Sequence, residues 1–113
     1  EMKLSENQII FSLNIADLIH FANSVGVGLT FGEAYRTMYQ QKKYLATGKS
    51  KTLNSNHLKR LAVDFNFFID GKLTYDKDTL QSLGDFWESL HPGNRWGGNF
   101  KSFTDTPHFE MKS

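Results

Sequence analysis

The chain contains no cysteine. That excludes a disulfide framework and any thiolate metal site, so a transition metal has only His, Asp and Glu to bind it here. No apolar run approaches the ~20 residues that span a bilayer, and no signal-peptide pattern opens the sequence. Membrane insertion is therefore not expected. A charge excess of one sign is missing too. Thirteen Lys and Arg face twelve Asp and Glu for a formal net charge of +1, and the basic runs stop at Lys49-Ser50-Lys51 and Lys59-Arg60. Such a chain exerts little electrostatic pull on nucleic acid, which is not expected as a partner. No internal repeat, linker or low-complexity tract interrupts the sequence. Its 113 residues suffice for one domain, expected to span 1–113, and not for two cores.

Aromatic side chains, by contrast, are plentiful. Ten Phe, four Tyr and two Trp fill a small interior with large groups. Ser5 with Gln8 three residues on reads as a capping box, ahead of Ile9, Ile10, Leu13, Ala16, Leu18 and Ile19. This predicts an amphipathic helix over 6–24, ending before Gly26 and Gly28. A strand is expected over Gly28–Tyr35, then a helix capped by Thr37 and closed by Gly48. Residues 49–57 are polar and turn-rich, a loop that delivers His57. From 61 to 69 the pattern alternates, with Leu61, Val63, Phe65, Phe67 and Ile69 on one face and Ala62, Asp64, Asn66 and Phe68 on the other. Asp70-Gly71 predicts a hairpin with a return strand at 72–74. A third helix, capped by Asp76 or Asp78, should run to about Leu90, where His91-Pro92-Gly93-Asn94 breaks it. One short strand over 108–112 completes an α+β fold, a small antiparallel sheet flanked by helices.

Two stretches carry the chemistry. Ser55-Asn56-His57 and Ala62-Val63-Asp64 set a histidine and an aspartate seven residues apart, the aspartate inside a strand. Asp105-Thr106-Pro107-His108-Phe109-Glu110 supplies a second histidine with a carboxylate three residues before it. Two neutral imidazoles and one carboxylate form a zinc site with one open position, the catalytic pattern, and a further carboxylate beside it would be the base. Each residue also has a plainer reading. Asp64 fits a solvated sheet face, although Ala62 and Phe68 beside it make that uncomfortable, and Asp105-Thr106-Pro107 fits an ordinary capped turn. Glu110 shares the face of His108 in a strand, where it either competes with Asp105 for the base role or orients a ligand from behind. Arg36, just past the first expected strand, is placed to stabilise an oxyanion or is simply a surface arginine. Ser55 either hydrogen-bonds substrate or shapes its loop. Trp96 and Phe109 read as core or cleft wall, and His20 and His91 have no suitable carboxylates nearby.

These residues in this order resemble a known family. Ser55-Asn56-His57 with Ala62-Val63-Asp64 is similar to the Ser-x-His-(x)6-Asp signature of zinc-dependent D-alanyl-D-alanine carboxypeptidases and dipeptidases. Asp105–Glu110 resembles the terminal Asp-x-Pro-His-Phe-Glu motif of their phage relatives, the L-alanyl-D-glutamate endopeptidases. Glu33-Ala34-Tyr35-Arg36-Thr37 with Gln40, Gln41 and Tyr44 resembles the upstream block, and Trp96-Gly97-Gly98 the block before the final motif. The resemblance implies the hedgehog/DD-peptidase fold, zinc on His57, Asp64 and His108, Asp105 as general base, and Arg36 polarising the scissile carbonyl. It implies bacterial peptidoglycan as substrate and a single-domain, monomeric phage endolysin held in the host cytoplasm until lysis. One position departs from the pattern. Where the signature often carries Gly, three residues after the histidine, this chain has Arg60. Arginine is unfavourable there if the backbone needs a positive φ, although Arg60 is then also a candidate for substrate contact.

Overall fold

Residues 2–50, 52 and 54–112 are described by the computed structural model. In chain order they form helix α1 (Leu4–Ser24), strand β1 (Gly28–Phe31), helix α2 (Met38–Thr47), a 3₁₀ turn (Asn56–Lys59), strands β2 (Ala62–Ile69) and β3 (Lys72–Thr74), helix α3 (Lys77–Leu90), strand β4 (Asn94–Trp96), a second 3₁₀ turn (Gly97–Asn99) and strand β5 (His108–Met111). The architecture is the α+β one that the sequence predicts. Every strand pairing is antiparallel, and the order across the sheet is β1-β2-β5-β4, with β3 pairing to β2 as well.

The long strand β2 is the spine. Its first half pairs with β5 and its second half with β1 and β3. The alternation read over 61–69 is real: Val63, Phe65 and Phe67 are buried on one face, and Asp64 and Asn66 are only partly buried on the other. Cross-strand partners extend both rows. Val63 lies opposite Phe109, which lies opposite Trp96, and all three are buried in the core. On the other face Asp64 lies opposite His108, and the row beside it runs Ala62, Glu110, Arg95. Helix α1 adds Phe11, Leu18 and Ala22 to the core, and α3 adds Leu80, Leu83 and Trp87. Those positions recur at helical spacing and form one apolar stripe per helix. Core and site therefore occupy opposite faces of one sheet.

Three local expectations shift. Helix α1 starts two residues earlier than the Ser5 cap implies: Lys3 is its N-cap, and Glu6 accepts a hydrogen bond from the Lys3 amide at 3.1 Å. Gln8, freed from capping, donates instead to the Lys59 carbonyl at 2.7 Å. The first strand stops at Phe31, because Gly32 and Glu33 turn to bond Asp64 through Gly32 N–H to Asp64 O and Asp64 N–H to Glu33 O. Strand β4 was not expected, since three residues after a Pro-Gly break carry no visible periodicity. The Thr37 and Asp76 caps, the Gly48 terminus and the hairpin at Asp70-Gly71, both at positive φ, all form as predicted.

Candidate metal centre

The 3₁₀ turn that carries His57 is built locally. Ser55 caps it by accepting from the His57 amide at 3.2 Å, and the turn closes at Arg60 with φ 55° and ψ 37°. Left-handed backbone is normally left to glycine. Here an arginine occupies it, with its guanidinium carbon 4.0 Å from the Tyr35 ring centre. Tight turning at this point points His57 back across the start of β2 toward Asp64.

His57, Asp64 and His108 converge on the polar face of the sheet, each offering a donor atom within 4.8 Å of the others. His57 Nε2 lies 3.5 Å from Asp64 Oδ1, and His108 Nδ1 lies 3.1 Å from the same oxygen. Tetrahedral zinc with ligands at ~2.0–2.2 Å separates its donors by roughly 3.4 Å, so the spacing fits that ion. A second observation agrees with it. Both ring nitrogens of His57 are fully buried without a hydrogen-bond partner among the described residues, a costly state for polar atoms that a bound cation relieves at Nε2. The donor set, imidazole and carboxylate without thiolate, also suits zinc.

Electrostatics bind the group together. Burial opposes ionisation of Asp64, yet the hydrogen bond from His108 and the nearness of His57 hold its carboxyl well below the usual carboxylate range. Burial likewise opposes protonation of His108, but bonds to Asp64 and Glu110 raise it to about 9. Glu110 Oε1 meets His108 Nε2 at 2.7 Å, while its Oε2 accepts from Arg95 Nε at 2.8 Å. Glu110 is thus engaged between the His108 ring and Arg95.

Asp105, Arg36 and Ser55 line a cleft of about 450 Å³. Asp105 borders it with the three donors, and burial raises its carboxyl above the ordinary value. Its loop closes through Gly97, whose carbonyl accepts from the Asp105 amide at 2.9 Å. A Cβ on Gly97 would stand 2.1 Å from the Asp105 carbonyl oxygen, so only glycine permits that approach. Arg36 also reaches the cleft, nearly buried, donating to Glu33 at 2.6 Å through Nε and from one terminal nitrogen to Gln41 at 2.6 Å and Ser55 at 3.3 Å. Ser55 therefore both caps the His57 turn and braces Arg36. Arg60 is not brought to this cleft. It lines a separate pocket with Gln8, Phe11 and Tyr35, because the left-handed turn aims it toward α1. His20 lies exposed in α1, and His91 Nδ1 accepts from the Gly93 amide, away from the site. Glu33, Gln41 and Arg95 carried no assigned role in the sequence reading, although the first two sit in the block that resembles the family. Arg95 gave no signal, because its role depends on β4 register.

A sequence profile described as D-alanyl-D-alanine carboxypeptidase matches residues 48–111, which contain all three metal donors and Asp105. The chain belongs to that family. An L-alanyl-D-glutamate peptidase of Listeria phage A118 is 32% identical over 98 residues, 83% of this chain and 34% of its own. The chain thus spans about a third of the length of that relative. Among solved structures, the Serratia marcescens L-Ala D-Glu endopeptidase ChiX matches with a TM-score of 0.72 and 26% identity, over 96% of this chain and 85% of its own. The D,D-pentapeptidase VanY from a VanB-type resistance cassette, crystallised with Zn(II), matches with a TM-score of 0.60 and 21% identity, over 89% and 70%, and so shares the fold. No helix among the described residues is long and apolar enough to cross a membrane.

Proposed function

We propose that this domain is a zinc peptidase that hydrolyses the L-alanyl-D-glutamate bond of peptidoglycan stem peptides, in the role of a phage endolysin. The observation that carries the reading is one cleft holding the His57–Asp64–His108 donor set with a half-buried carboxylate, Asp105, beside it. The Listeria phage relative and ChiX support the choice of bond.

His57, Asp64 and His108 would hold the zinc. Bound there, zinc supplies a Lewis acid that lowers the pKa of water from 15.7 toward about 7. Asp105, its proton affinity raised by burial, takes the proton from the attacking water. Arg36, held by Glu33, Gln41 and Ser55, presents positive charge to the carbonyl oxygen as the water oxygen bonds to the carbonyl carbon. The C–N bond then breaks and Asp105 passes its proton to the leaving amine. Such an enzyme waits in the bacterial cytoplasm and meets the wall after release.

The family's description favours a second reading, removal of a terminal D-alanine. Incubating the zinc-loaded protein with purified peptidoglycan and identifying the fragments by mass spectrometry separates the two. New D-glutamate amino termini are expected. Loss of D-alanine alone would transfer the assignment to the carboxypeptidase. No release from several wall chemistries, with zinc bound, would leave a non-catalytic wall-binding module.

A further inference from the structure

The cleft contains a cation that hydrolysis leaves unused. Arg95 stands on β4 directly opposite Glu110 on β5, one strand spacing, about 4.8 Å, beyond the strand that bears His108. Its Nε and one terminal nitrogen both bond the same oxygen of Glu110, which occupies one edge of the guanidinium. Of the five N–H donors on an arginine, three then have no partner among the described residues. The side chain is 51% exposed, lines the cleft, and lies 5.5 Å from the Phe100 ring centre. Arg36 contrasts with it. That side chain is 11% exposed and donates to Glu33, Gln41 and Ser55. Glu110 neutralises Arg95 only in part, because it is shared with His108.

We propose that Arg95 is a specificity-determining residue that receives the free α-carboxylate of the D-glutamate beside the scissile bond. The proposal rests on the L-alanyl-D-glutamate reading above. In that peptide the D-glutamate nitrogen belongs to the amide that is cut, and the chain continues through the γ-carboxyl. An anionic carboxylate is therefore left one carbon from the scissile nitrogen. A guanidinium edge one strand from the metal donors matches that anion in charge and in its two-oxygen geometry. Replacing the carboxylate by a carboxamide keeps its shape and removes its charge, which makes the pair of substrates a direct probe.

The test measures kcat/KM of the zinc-loaded protein on a stem peptide with a free D-glutamate α-carboxylate and on the same peptide amidated at that position. The wild type is expected to prefer the carboxylate by about tenfold or more, the scale of one charge-assisted contact. In Arg95→Gln that preference should collapse toward unity, mainly through KM, and Arg95→Lys should restore part of it. A merely structural Arg95, acting through Glu110 and His108, would depress both substrates equally and leave the ratio standing. That result overturns the proposal. So does a ratio that survives Arg95→Gln but disappears in Lys49→Gln, which would assign the anion to Lys49, a second exposed cation among the described residues lining the cleft. A wild type that cuts neither peptide yet releases terminal D-alanine removes the endopeptidase reading, and this proposal with it, before any variant is compared.

Discussion

Glu110 accepts a hydrogen bond from His108 Nε2 at 2.7 Å, on the opposite side of the ring from Asp64, which lies 3.1 Å from Nδ1. One imidazole is thus oriented from both sides, its Nδ1 left for the metal. Glu110→Gln keeps an acceptor and loses the charge. Zinc affinity, read by competition with a chelator, should drop by about tenfold, the lower end of what such partners contribute. An unchanged affinity would show that strand packing alone holds the ring.

Asp105→Asn should separate metal binding from chemistry. Zinc content is expected to stay, because Asp105 lies outside the donor set, while hydrolysis falls by at least about 10²-fold. The acid limb of the wild-type kcat/KM profile should disappear in the variant, since the base works only when deprotonated. Retained activity in the variant would move the base role to another group.

His57→Ala should lose both zinc and the thermal stabilisation that zinc confers, because binding to the folded state adds to its stability. It also removes a buried imidazole whose two nitrogens lack hydrogen-bond partners among the described residues. The metal-free variant is therefore expected to melt no more than a few degrees below metal-free wild type, roughly 4–8 °C per kcal/mol in a domain of this size. A zinc-dependent rise in melting temperature in His57→Ala equal to that of wild type would sink the ligand assignment.

Opposite pH slopes are expected with and without metal. In the metal-free protein His108 is raised from its ordinary 6.5 to about 9 by Asp64 and Glu110, against the effect of burial. Stability from that raised value is fully present below about 6.5 and is lost as pH rises through about 9. Zinc needs the neutral ring, so its binding expels this proton and strengthens over the same interval. Melting curves from pH 6.5 to 9 should show metal-free stability falling while the increment due to zinc grows. Metal-free stability that climbs across that window would contradict the His108–Asp64–Glu110 arrangement.

Arg60 offers a test of backbone strain. Its φ of 55° suits glycine, and its stack on Tyr35 compensates in part. Arg60→Ala keeps the strained turn and loses the stack, a cost of about 0.5–1 kcal/mol. Arg60→Gly loses the stack and relieves a strain of about 1–2 kcal/mol, so it should be the more stable of the two variants by denaturant midpoint. The reverse order would mean that the turn is not left-handed in solution.

How much of this was visible beforehand depended on how local each cause is. The caps at Thr37 and Asp76, the Asp70-Gly71 hairpin and the β2 alternation each rest on neighbours within a few residues, and each formed as read. The Ser5 cap did not, because Lys3 and Glu6 close the helix earlier and Gln8 finds a partner 51 residues away. No pattern around position 8 could announce a bond to the Lys59 carbonyl.

The same division runs through the site. By itself, the sequence determined the donor types and their rough alignment: His57 on a turn before β2, Asp64 on the polar face of β2, His108 and Glu110 two apart on one strand. Strand periodicity and chain continuity settle those relations. Tertiary structure alone decided that Arg95 meets Glu110, that Glu33, Gln41 and Ser55 hold Arg36, and that Arg60 faces α1 instead of the cleft. Those contacts follow from the register of β4 on β5 and from where the turns send their side chains. Register is set by the packing of the whole core, and no single stretch of the chain carries that information.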